Sequence, residues 1–208
     1  MPSFLVLCAR FVLGLLLTTL ESFLGLFMLH ELGYPATMSG LVLTLFATLF
    51  SLTQAPTLLL KMARTFTEKQ VIIGGFIALS VSMFMWSQCR SLRSLLVAVS
   101  IFSLGAGFLN PLVSSLVSRL AGPTDKGGFL GLSASLGSVT RIVAPLLGGY
   151  MVEGDAMGQG WGPGYRGPPL AAAALAMVMG AAFCLVSDST LVPRSAKNGG
   201  NKSQGSRE

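Results

Sequence analysis

The hydrophobic positions of this chain gather into six long runs, at residues 10–32, 38–60, 70–87, 95–117, 129–152 and 169–186, separated by short polar or Gly/Pro-rich breaks. Each run is close to the ~20 apolar residues that a helix needs to cross the hydrocarbon of a bilayer. The pattern predicts an all-α membrane protein with residues 1–187 folded as one six-span bundle. The segment "EGDAMGQGWGPGYRGPP", Glu153 to Pro169, is too rich in Gly and Pro for a helix and predicts a flexible loop. From Asp188 onward the sequence "DSTLVPRSAKNGGNKSQGSRE" has almost no apolar content, which predicts a disordered tail over 188–208.

Composition agrees with the spans. The 208 residues are 52% hydrophobic and 11% charged, and the mean hydropathy is +0.71. The first run has no basic segment before Phe4, and its arginine, Arg10, lies inside the apolar stretch, so it reads as a first transmembrane helix rather than a secretory signal. The net charge of +6 is spread over loops and tail and does not line one helical face, so no nucleic-acid partner is expected. Cys8, Cys89 and Cys184 form no CxxC and have no histidine beside them, and His30 stands alone, so no disulfide framework, metal site or cofactor is expected.

Alternation of the runs places Lys61, Arg64, Lys69, Arg119, Lys126, Arg194, Lys197, Lys202 and Arg207 on one side, and only Arg90, Arg93 and Arg166 on the other. The positive-inside bias makes the first side cytoplasmic, with both chain ends there. Tyr34, Trp86, Tyr150, Trp161 and Tyr165 then fall at the outer ends, where aromatic anchors belong.

The costly residues are Glu21 and Arg141. An ionised side chain within a span needs a partner, a water-filled cavity or freed backbone carbonyls. If Arg10 snorkels to the cytoplasmic surface, Glu21 lies ~16 Å deeper and Arg141 ~18 Å beyond Phe129, by the rise of a helix. Both are expected near mid-membrane and energetically coupled, with Glu21 as the proton-exchanging group or as half of a structural ion pair. Gln54 and Asn110 are neutral polar residues within runs, suited to lining a cavity or bonding another helix. Pro111 and Pro145 each remove a helical hydrogen bond and are candidate bends. Gly127, Gly131 and Ser135, and likewise Ala172, Ala176 and Gly180, recur every four residues, the pattern of close helix packing.

The stretch "GAGFLNPLVSSLVSRLAGPTDKGGFLGLSASLGSVTRIVAPLLGGYM" resembles the tenth and eleventh helices of the major facilitator superfamily. It is similar to the branch of tetracycline-resistance drug:proton antiporters and their eukaryotic orphan relatives. The residues that carry the likeness include Gly105, Gly107, Asn110, Pro111, Arg119, Gly131, Ser135, Gly137, Arg141, Pro145, Gly148 and Gly149. Upstream, "LESFLGLFMLHELGYPATMSGLVLTLFA" resembles the seventh helix and the start of the eighth, with Glu21 at an acidic position seen in some relatives. The loop around Lys61 to Lys69 departs from the pattern by lacking the Asp and Gly of the family's best-known loop motif.

The resemblance implies the C-terminal six-helix half of a twelve-span transporter, built from two inverted three-helix repeats, with Gly148 and Gly149 joining the two prolines as bend or gating candidates. It implies a small solute, proton coupling, and a missing N-terminal half or a second chain as partner within the lipid bilayer. No GxSxG, HExxH or Cys–His grouping suggests an enzyme. The alternative is a truncated, non-transporting scaffold or regulatory subunit.

Overall fold

The computed structural model describes residues 2–55, 67–120, 126–156 and 164–185. Among them are six helices long and apolar enough to cross a membrane: α1 (Pro2–His30), α2 (Ala36–Thr53), α3 (Glu68–Ser87), α4 (Leu92–Leu120), α5 (Lys126–Ala156) and α6 (Gly167–Leu185). The tail at 188–208 and the basic loop at Lys61 and Arg64 lie outside the described residues.

Local chemistry sets several ends. The α1–α2 reversal uses Gly33 at φ 69°, while Tyr34 N–H donates back to the Met28 carbonyl at 3.0 Å, so the orphaned end of α1 is capped. Helix α3 begins with a reciprocal cap: Gln70 N–H donates to Thr67 Oγ1 and Thr67 N–H donates to Gln70 Oε1. Helix α2 stops at Thr53, and Gln54 serves as its C-cap. Pro56 explains the stop, because the residue before a proline is pushed out of the helical region. Part of the expected 153–169 loop is ordered instead: α5 continues to Ala156, and a short 3-10 turn, Gly164–Arg166, leads into α6. Pro111 and Pro145 sit inside α4 and α5, which run on as single helices.

Helix α3 packs against both α4 and α6. Ser82 Oγ donates to the Ala98 carbonyl at 2.8 Å and Ser80 Oγ to the Ala173 carbonyl at 2.9 Å. Hydrogen bonds between spans, with small residues that let backbones approach, are the forces available where lipid removes the hydrophobic drive. Ala172, Ala176 and Gly180 are all buried, and Gly180 sits over Phe76 in this seam, whereas Ala172 lines a pocket shared with α1 and α5. Gly127 and Gly131 differ: no described residue beyond their own helix comes within 4 Å of where a side chain would begin.

The packing repeats with inverted sense. Helix α1 packs on α5 as α4 packs on α2, and α6 on α1 as α3 on α4. The first helix of each repeat brings a glycine against a threonine of a parallel helix in the other repeat, Gly14 with Thr140 and Gly107 with Thr53.

Two ion pairs tie distant segments together at opposite ends of the bundle. Arg119 donates to Glu68 at 2.6 Å, joining α4 to α3. Arg166 donates through Nε and Nη2 to Glu31 Oε2 at 3.0 and 2.9 Å, and His30 stacks on Tyr165 beside it at 4.6 Å. Both pairs are partly solvent-exposed, so Arg166→Gln is expected to cost at most ~1 kcal/mol in thermal or denaturant unfolding. Trp86 is not an interfacial anchor: it is 2% exposed, with its ring edge-on to Phe27.

Candidate functional site

Helix α1 supplies the floor of one open face. Residues 14, 21 and 25 share a stripe of a helix with 3.6 residues per turn. At one end of the stripe Gly14 approaches Thr140 of α5, and at the other Gly25 approaches Ser39 of α2. Glu21 lies between these two contacts and is exposed on the chain's surface. One turn before Gly14, Arg10 reaches α4, where its Nη1 donates to Asn110 Oδ1 at 2.6 Å. The face therefore has α1 and α4 beneath it and α2 and α5 on its flanks.

Those flanking helices are the least enclosed. Only 17% of the apolar stretch of α2 and 11% of that of α5 is buried, against 44–56% in the other four spans. Leu41, Leu52, Ile142, Leu146 and Leu147 are among the large apolar side chains left exposed on them.

Arg141 does not meet Glu21. Gly14 lies beside Thr140 and Phe23 beside Gly148, so α1 and α5 run parallel and Arg141 is level with about Leu16. Glu21 is a further ~8 Å along the axis, and Arg141 is turned ~100° from the Thr140 contact. Leu147 lines a small pocket of 60 Å³ between α1, α5 and α6, which leaves Arg141 on the flank of α5 away from α6. Both charged side chains are exposed, and neither makes an ion pair or hydrogen bond with a described residue. Counting depth along each helix missed this because the axial register is set by the glycine contacts. Arg141→Leu and Glu21→Gln are accordingly expected to be additive in thermal stability within ~0.5 kcal/mol, the behaviour of sites that share no partner.

The other sequence candidates separate. Asn110 is paired with Arg10, a residue that the sequence placed at the membrane surface. Gln54 is half-buried at the end of α2 and not at mid-span. Gly148 is held against the Phe23 ring with no room for a side chain, whereas a side chain at Gly149 would meet no other described residue within 4 Å beyond its own helix. The Cys89 thiol, outside the spans, donates to the Met85 carbonyl at 3.1 Å. Burial pushes its pKa up, partly offset by a hydrogen bond with Ser94, so it stays a neutral packing group.

A bundle of this kind, with a charged open face between two inverted repeats, is transporter architecture. The chain belongs to the major facilitator superfamily, whose family model matches residues 6–206. It is therefore an integral, multi-pass membrane protein of a transport family. The chain is also similar to Multidrug resistance protein 1 of Bacillus subtilis (strain 168), with 27% identity over 140 residues. That match takes in 67% of this chain and 35% of the relative, so the chain spans about a third of the length of this curated relative.

Proposed function

We propose that this chain is the C-terminal half of a proton-coupled transporter of small solutes, in the tetracycline-resistance-like branch of the superfamily, with both its ends in the cytoplasm. The observation that carries the reading is the poor burial of α2 and α5, which flank the same face that holds Glu21 and the Arg10–Asn110 pair. A face with charged residues at its centre and two uncovered helices at its edges is suited to close against a second six-helix unit. The solute would bind between the two, near the level of the charges. The name of the Bacillus relative, which refers to multidrug resistance, supports export of organic molecules. The loop lysines and arginines support the orientation.

The test is reconstitution of the chain together with a preceding six-span half into sealed vesicles, with solute movement followed under an imposed pH gradient. Gradient-driven movement that collapses with an ionophore is the expected result. A complete, folded protein that moves no solute under any gradient would favour the scaffold reading instead.

A further inference from the structure

We propose that Arg10 and Asn110 together form a receptor for a carboxylate, which makes the solute handled by this face an organic anion. The inference rests on the transport reading above. Arg10 Nη1 donates to Asn110 Oδ1 at 2.6 Å between α1 and α4. A guanidinium has no acceptor, so the amide must turn its oxygen toward Arg10, and its NH2 is left pointing elsewhere. The remaining guanidinium N–H groups and this NH2 find no acceptor among the described residues. The pair is thus a half-buried cluster of donors with a full positive charge.

Nothing in the described chain neutralises it. Glu31 and Glu68 are held by Arg166 and Arg119, Glu153 lies near the far end of α5, and Glu21 is ~16 Å along α1 by helical rise. A neutral amide positions an arginine without offsetting its charge, and a charge within a span requires an offset. The group that completes the cluster is a planar anion able to take parallel N–H bonds from a guanidinium, which is what a carboxylate does.

Depth and position favour a solute over a lipid headgroup. Helix α4 has 29 residues, about 43 Å against a hydrocarbon layer of about 30 Å. Asn110 lies ~13 Å in from Arg119 at the helix end, below the level of the headgroups. The pair also bridges α1 and α4, two of the better-buried spans, at 56% and 50%, and sits away from the α3–α6 side. The open face around it carries Arg10 and Arg141 against Glu21, a net positive balance that suits an anionic solute.

The experiment uses the full chain in neutral detergent, with benzoate and indole-3-acetate as probes and benzamide and indole-3-acetamide as uncharged counterparts, read by calorimetric titration and by Tm. The acids are expected to bind at least about tenfold more tightly than the amides. Arg10→Lys should weaken that preference. Asn110→Asp should abolish acid binding while leaving Tm unchanged or raised, because it supplies Arg10 with a resident carboxylate. A merely structural Arg10–Asn110 bond would show no acid preference to lose.

Equal binding of acids and amides, or full acid binding in the Asn110→Asp protein, overturns the proposal. So does equal competition by inorganic phosphate or by phosphatidylglycerol vesicles, which would assign the site to a generic anion or a lipid headgroup. Carboxylate binding without gradient-driven uptake in the two-half protein would sink the transport reading and leave this site standing. Uptake without carboxylate binding would do the reverse.

Discussion

Gly107→Ala is expected to destabilise the bundle by ~3 kcal/mol, the upper range for forcing extra volume into a packed core, while Gly131→Ala changes thermal unfolding little. The two glycines belong to the same family-like stretch, yet their surroundings differ. At Gly107 an added Cβ would fall on the Thr53 hydroxyl and lie 2.8 Å from Thr53 Cβ and 3.2 Å from the Phe50 carbonyl oxygen. Thr53 is 4% exposed, and its Oγ1 donates to that same carbonyl at 2.8 Å, so turning it aside would sacrifice the bond. Helices α2 and α4 would have to separate, and a folded state only ~5–15 kcal/mol below the unfolded one has little margin for that. A Cβ added at Gly131 would meet nothing within 4 Å among the described residues beyond its own helix, so alanine gains there the better helix propensity, up to ~1 kcal/mol. A Gly131→Ala loss as large as that of Gly107→Ala in the isolated chain would mean that the α2–α4 contact is not what constrains Gly107. If the half-transporter reading holds, Gly131→Ala becomes costly only once the second half is present.

The spans were legible because apolar length is a one-dimensional property of sequence. Six runs give six helices, with α1 beginning eight residues early because Pro2 to Ala9 continue its helix. Lateral relations were not legible. Arg10 and Asn110 stand 100 residues apart, Glu31 and Arg166 stand 135 apart, and no local pattern couples such positions. The clue for Arg10 was present in the sequence, a charge at the start of an apolar run whose exit to the surface was assumed. The helix instead extends a further two turns below it, too far for easy snorkelling, so the charge found a partner inside. The expected pairing of Glu21 with Arg141 failed for a related reason. Depth along two helices says nothing of which faces meet, and here Gly14 against Thr140 and Gly148 against Phe23 settle that. The recurrence of a glycine–threonine contact between the two three-helix repeats was hidden in sequence because Gly14 and Gly107 sit in otherwise dissimilar segments.

Glu21→Gln is expected to leave the fold intact and to reduce pH-gradient-driven uptake by the two-half protein to the rate of empty vesicles. The first half of the expectation follows from its surroundings: Glu21 is exposed and bonds to no described residue, so the amide loses no contact, and stability should hold within ~0.5 kcal/mol. The second follows from chemistry. Among the described side chains within the spans, Glu21 is the carboxylate that lies on the open stripe between Gly14 and Gly25, and a carboxylate can take up and release a proton where glutamine cannot. An intramembrane acid on a face that a solute would visit is the usual carrier of such coupling. Glu31→Gln is the matched control, because it deletes a carboxylate from the turn that directly follows α1 and breaks the Arg166 pair, yet it lies beyond the helix end and should leave coupling intact. Solute exchange without a gradient should survive in the Glu21→Gln protein, since the Arg10–Asn110 pair is undisturbed. Uptake that still follows the pH gradient after Glu21→Gln would show that another group carries the proton and would leave Glu21 a polar lining residue of the face.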